Sequence, residues 1–146
     1  MQWSDDLNTG IPEVDAQNQR LADFINTLQE AKESDDRERL GEVLEEMLDF
    51  CVNQFFFEEQ LMEKADYEFR SAHERVHEIF IKKLADFRGR YANGEDVSGE
   101  LLTMLAGWIQ NHVVREDKAY ADSVSRVIEK EGGRSWVAGL MKRLRG

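Results

Sequence analysis

Pro12 is the one proline in 146 residues, so no later position carries a residue that removes a helical hydrogen bond and clashes with the preceding turn. Downstream of it, apolar residues recur at alternating intervals of four and three, the period of a single helix face. Gly10-Ile11-Pro12 marks a helix start, because proline suits the first helical position, where its missing N–H has no partner to lose. Val14, Asn18, Leu21, Ile25 and Leu28 then form one stripe. The charged stretch 32–39 has no stripe, so a short connection is expected near Ser34, with Asp35 as candidate N-cap. A second helix reads Leu40, Leu44, Met47, Cys51, Gln54, Glu58, Leu61 and Ala65. Asp66-Tyr67-Glu68 breaks the pattern, and a third helix is predicted from about Phe69, with His73, His77, Phe80, Leu84, Phe87 and Tyr91 on one face. Asn93-Gly94 is a stop signal, and Asp96 or Ser98 can cap the next helix. This fourth helix carries Leu101, Leu105, Trp108, Ile109, His112, Val113, Asp117, Tyr120, Val124 and Val127 and is expected to end at Gly132-Gly133.

Four helices joined by short connections predict an all-α fold, an antiparallel up-down-up-down four-helix bundle. The expected organisation is a bundle over residues 1–133 and a basic amphipathic tail over 134–146. In the tail, Trp136, Val137, Leu140, Met141 and Leu144 oppose Lys142, Arg143 and Arg145. A helix this short with few cations binds membranes weakly, so docking on the acidic bundle is expected instead. The formal charge of −11 excludes general nucleic-acid binding, which needs clustered Lys and Arg. One cysteine excludes an internal disulfide, and no apolar run approaches the roughly 20 residues of a membrane span. With no basic or apolar leader at the N-terminus, the expected compartment is cytoplasmic.

The informative residues are polar ones at core positions. Asn18, Gln54, Glu58, His73, His77, His112 and Asp117 all fall on inward stripes, and antiparallel packing brings them to one level of the bundle. An unpaired buried polar group costs roughly 1–3 kcal/mol and an unpaired charge far more, so this layer needs compensation. His73 and His77, one turn apart, have metal-chelating spacing, although such a pair is by itself common on helix surfaces. His112 and Asp117, five residues apart, differ by about 140° on an ideal helix. Facing one centre places them at the two edges of the inward face or demands a local π-type bulge. Taken together, every histidine of the chain lies beside two carboxylates at one level, which points to a cation. Phe55-Phe56-Phe57 cannot all face inward; Phe55, Trp108, Ile109 and Ile25 are candidates for a water-excluding pocket wall.

These residues resemble the hemerythrin family, in particular the bacterial hemerythrins, from Trp3 to about Tyr120. The matching stretches are Trp3 with Gly10-Ile11-x-x-Val14-Asp15-x-Gln17-Asn18; Phe55-x-x-Glu58-Glu59-x-Leu61-Met62; Tyr67; His73-x-x-x-His77-x-x-Phe80; and Trp108-x-x-x-His112-x-x-x-x-Asp117-x-x-Tyr120. The family's myohemerythrin bundle is a known case of the up-down-up-down topology. The resemblance implies a non-haem di-iron centre that binds O2 reversibly. It assigns His73, His77 and His112 to one iron and Glu58 and Asp117 as carboxylates bridging to the second. The second iron takes two further histidines in the family, and this chain has Asn18 and Gln54 at those positions.

Amide oxygens are hard, weak ligands, whereas imidazole suits Fe, Zn, Cu and Ni, so the second site is expected to be greatly weakened. The two amides can instead bond to each other or to Glu58. Cys51, one turn before Gln54, is a conceivable substitute ligand but reads more simply as a small apolar filler. The expectation is a non-enzymatic metal protein holding one iron ion, or two, with Zn or Mn as alternatives and O2 binding weakened or lost. A working di-iron oxygen carrier or sensor, a mononuclear iron redox enzyme and a metal-free scaffold are the alternatives. A ferritin-like oxidase is disfavoured, because only Glu74-x-x-His77 fits its motif and Glu74 lies off the His73/His77 face.

Overall fold

The computed structural model describes residues 2–130 and 135–145. After a single 3-10 turn at Asp5–Leu7, the helices are α1 (Pro12–Glu33), α2 (Arg37–Lys64), α3 (Arg70–Ala92), α4 (Ser98–Trp108), α5 (Lys118–Lys130) and α6 (Ser135–Arg145). A π-helical segment, Ile109–Asp117, joins α4 to α5, and the backbone stays helical at both junctions, so residues 98–130 form one continuous rod. The described residues include no strand. Contacts such as Gln54 with Asn18, His77 with Glu58 and His73 with Asp117 set successive rods antiparallel, giving the expected four-helix bundle.

The ends of the rods follow from side-chain chemistry. Pro12 opens α1, and Asp15 reaches back to accept from Thr9 N (2.6 Å), Thr9 Oγ1 (2.8 Å) and Gly10 N (3.2 Å), tying the entering loop to the first turn. Gly10 sits at φ 92°, a conformation that costs a residue without Cβ little. The cap of α2 is Asp36, whose side chain accepts from Arg39 N, and not Asp35. Asp35 instead adopts φ 51°, closing the connection in the left-handed region that aspartate tolerates. Asp96 Oδ1 accepts from Ser98 N and Ser98 Oγ at the start of α4.

Two apolar clusters fill the bundle. One is built around Leu21, Leu28, Val43, Met47, Leu84 and Leu101, and the other around Ile11, Val14, Phe57, Leu61, Tyr120 and Val124. The polar layer lies between them. Val137 is buried in the second cluster, with Leu140 and Met141 packed on it, so the described part of the tail docks on the bundle. The expected end at Gly132-Gly133 and the Trp136 and Leu144 side chains lie outside the described residues. No helix among the described residues is long and apolar enough to cross a membrane.

At the far end of the bundle Gly41 lets α2 approach α3. A Cβ there meets Tyr91 Oη at 2.5 Å and its ring carbons at 2.7 Å. That ring is held by its hydroxyl donating to Arg37 O and by the Arg37 guanidinium 4.4 Å over its face. Helix propensity alone favours Gly41→Ala by about 1 kcal/mol. We expect the clash to win, and urea denaturation to show a loss of about 1–2 kcal/mol that reverses in a Tyr91→Ala background. A stabilised Gly41→Ala single variant contradicts the close approach.

Candidate metal centre

Five side chains converge in the polar layer. Glu58, His73, His77, His112 and Asp117 each offer a ligand atom, and these atoms all lie within 4.8 Å of one another. All five are buried, Glu58 with 0% and Asp117 with 1% exposure. α3 supplies His73 and His77 one turn apart on its inner face, and α2 supplies Glu58. His112 and Asp117 come from the π segment. Its wider turn brings residues five apart onto one face, the second of the two arrangements that their spacing allowed.

His77 Nε2 lies 3.1 Å from His112 Nε2 and 3.2 Å from Glu58 Oε2. Asp117 Oδ1 is 3.2 Å from His73 Nε2 and 3.1 Å from His112 Nε2. Glu58 Oε2, His73 Nε2 and Asp117 Oδ1 have no aligned hydrogen-bond partner at these separations. Buried lone pairs that face inward without hydrogen-bond alignment suit a central cation better than one another. The donor set of imidazole and carboxylate is that of Fe, Mn and Zn sites.

The electrostatics agree. Burial and the neighbouring Asp117 push the Glu58 carboxyl above its usual range, while His77 opposes the shift. Burial raises Asp117 too, but His112 and His73 outweigh it and hold this carboxyl at about 2. Burial lowers His77, yet its contacts with Glu58 and Glu59 raise it to about 9. His112 is raised by Asp117 against the same burial. The carboxylates thus act as charge partners of His77 and His112, a role that a bound cation can take over.

The surroundings are aromatic. Phe55 stacks on His77 (3.9 Å, 6° between planes) and Trp108 on His112 (3.9 Å, 16°), so both act as walls of the layer. Ile25 and Ile109 are buried packing residues of the larger apolar cluster, and Phe56 turns outward at 49% exposure. Cys51 is not among the converging atoms; burial, followed by Glu58, pushes its thiol up, as befits a filler. Glu74 pairs with Arg70 on the surface.

Asn18 and Gln54 are buried beside Glu58. Gln54 Nε2 donates to Asn18 Oδ1 at 2.6 Å and lies 3.4 Å from Glu58 Oε1. The amide orientations follow from chemistry, since a carboxylate that only accepts draws the NH2 of Gln54 and leaves Asn18 to present its oxygen. Two residues have roles that stripe reading did not assign. Glu59 Oε2 lies 3.4 Å from His77 Nδ1 and orients that ring from behind. Tyr120, fully buried, sets its ring edge-on to His73 at 5.3 Å. Both stand in the motif stretches, but only the fold shows what they touch.

An antiparallel bundle with three imidazoles and two carboxylates closing on one buried point defines a helical protein with a histidine–carboxylate cluster that could hold a cation. Residues 9–123 match the hemerythrin HHE cation binding domain. The chain is 44% identical to the bacteriohemerythrin of Stenotrophomonas maltophilia, covering 99% of this chain and 97% of that one. It is 39% identical to the bacteriohemerythrin of Pseudomonas aeruginosa over the same shares. A crystal structure of wild-type hemerythrin superposes with a TM-score of 0.81 at 26% identity, covering 86% of this chain and 98% of that one. The chain belongs to the hemerythrin family of non-haem iron proteins.

Two outcomes are expected. Replacing Glu59 by Ala frees the His77 ring and should weaken metal affinity about 10–100-fold in competition titrations, without unfolding the protein. In the metal-free protein, raised His77 contributes stability fully below its ordinary pKa of 6.5 and loses it as pH climbs through about 9. Urea denaturation should therefore show lower stability near pH 10 than near pH 6, by on the order of 1–3 kcal/mol. A flat profile contradicts the assignment.

Proposed function

We propose that this chain is a hemerythrin-family metal-binding protein with an altered centre. It holds one iron ion through His73, His77 and His112 with Asp117 and Glu58, and its reversible O2 binding is weakened or lost. Zinc or manganese suits the same donors. The observation that carries this reading is the 2.6 Å bond between Gln54 Nε2 and Asn18 Oδ1. By resemblance to the family, those two positions belong to the imidazoles of the second iron. Here two weaker amide ligands occupy them and spend hydrogen-bonding capacity on each other.

Charge supports a single ion. Two buried carboxylates neutralise one divalent cation. A second divalent ion brings two more positive charges into a dry layer, where uncompensated charge is expensive. Asp15, the other buried carboxylate near α1, is already taken by Thr9 and Gly10.

The bound ion supplies Lewis acidity and one-electron redox chemistry; the chain supplies everything else. His73, His77 and His112 fix it in place, and Glu59 sets the tautomer of His77 by accepting from Nδ1. Phe55 and Trp108 exclude bulk water from the imidazole faces. We read the protein as a binding protein, in keeping with its similarity to bacteriohemerythrins. A complete di-iron oxygen carrier is the second reading, favoured by similarity to bacteriohemerythrins along nearly the whole chain.

Elemental analysis of protein purified with iron present tests the choice. One metal equivalent per chain is expected, with no visible band that comes and goes with oxygen. The Asn18→His/Gln54→His variant should raise the content towards two equivalents. Two irons in the unsubstituted chain together with a reversible oxygen-dependent band overturn the altered-centre reading.

A further inference from the structure

Among the described residues, four large apolar side chains stand about half exposed: Val52, Phe56, Phe69 and Ile79. Phe69 lies edge-on to Tyr67 at 5.9 Å in the turn between α2 and α3. The other three fall on two faces of opposite charge, and exposed apolar surface rimmed by charge marks a contact site.

The first face is a ridge on α2. Glu45, Asp49, Val52, Phe56 and Glu63 are all exposed and lie within about 60° of one another on an ideal helix. Two apolar side chains thus occupy the centre, with carboxylates on both sides. Arg88 holds Glu45 at 3.5 Å, whereas Asp49 and Glu63 have no ion-pair partner among the described residues. These two carboxylates bracket about 21 Å of helix at 1.5 Å per residue.

The second face is an open groove of 1010 Å³ between α3 and α4. Ile79, Phe87 and Met104 line it, and Gly99 and Thr103 keep the α4 bank low. Lys32, Lys82 and Lys83 stand along it, and a Cβ on Gly99 lies 3.9 Å from Lys32 Nζ, so that ammonium leans over the low bank. Of the two acids in the lining, Glu100 is taken by two nitrogens of Arg90 at 3.0 Å, which leaves Asp86 against three lysines. The groove is therefore cationic in a chain whose formal charge is −11.

We propose that a second copy of this chain docks its α2 ridge in the α3–α4 groove. The partner's Val52 and the partner's Phe56 cover Ile79 and Met104, and the carboxylates that flank them meet the lysines. Ridge and groove are different faces, so the contact is head-to-tail and leaves each pair with one free ridge and one free groove. The like net charge of the two copies opposes approach. At 0.15 M salt, however, charges more than about 8 Å apart are largely screened, and the facing groups decide. A patch of this size makes a weak, reversible contact. None of the five converging residues takes part, so the association is independent of what the polar layer holds.

Sedimentation velocity of the full chain at 0.15 M salt, with protein raised to about 1 mM, tests the proposal. The weight-average mass should climb above that of one chain. Lys82→Glu/Lys83→Glu reverses the groove's charge, and Val52→Lys/Phe56→Lys removes the ridge's apolar centre and adds like charge. Each pair should weaken association at least about tenfold. All four side chains are exposed, so both variants should keep the parent's helicity and urea midpoint. An equimolar mixture should recover a one-to-one complex, because the first variant retains its ridge and the second its groove. A parent chain that stays monomeric throughout overturns the proposal, as does association that either pair leaves unchanged. A mixture that stays monomeric overturns the head-to-tail pairing of ridge with groove.

Discussion

Two carboxylates buried almost completely, Glu58 and Asp117, set the terms for the rest of the molecule. They lie in a thin polar layer with apolar clusters above and below, where an isolated anion is not tolerated. Every histidine in the chain is spent on them. The two on α3 arrive one turn apart, the third comes from the neighbouring fourth rod, and each ring nitrogen that faces the carboxylates also faces the others. Without a cation, protonated imidazole is the available counter-charge; with one, the same atoms become ligands. On the proposed reading the layer is a proton site and a metal site in competition, and its stability and its affinity are two readings of one electrostatic problem.

The backbone departs from regularity where this layer demands it. An ideal helix separates residues five apart by about 140°, and the π segment removes that separation so that His112 and Asp117 share a face. The same widening sits beside Trp108, whose ring covers His112. Away from the layer the helices are regular. The departure proposed for this chain is small in volume and large in chemistry, since by resemblance to the family Asn18 and Gln54 stand where imidazoles are implied.

Much of this was legible in the residues. Proline at position 12 and unbroken 4/3 stripes located the four rods, and the antiparallel arrangement predicted that Asn18, Gln54 and Glu58 stand at one height, where they do bond to one another. The bulge was legible as one of two alternatives, because two inward groups five residues apart sit either at the two edges of the inward face or on a wider turn. Caps were less so: Asp35 and Asp36 are equivalent in composition, and only the turn geometry decides that Asp36 caps while Asp35 takes positive φ. Glu59 was hidden because its stripe position is peripheral; its role appears only when α3 brings His77 Nδ1 alongside.

The central claim is that one ion sits among three imidazoles and two carboxylates while the amide pair keeps the adjoining position closed. Anomalous diffraction at the iron edge from crystals grown with ferrous iron tests it most directly. The account predicts one strong peak per chain, within bonding distance of the Nε2 atoms of His73, His77 and His112, with Asn18 and Gln54 still bonded to each other. Two peaks of comparable height, the second liganded by the Asn18 and Gln54 side chains, would contradict it.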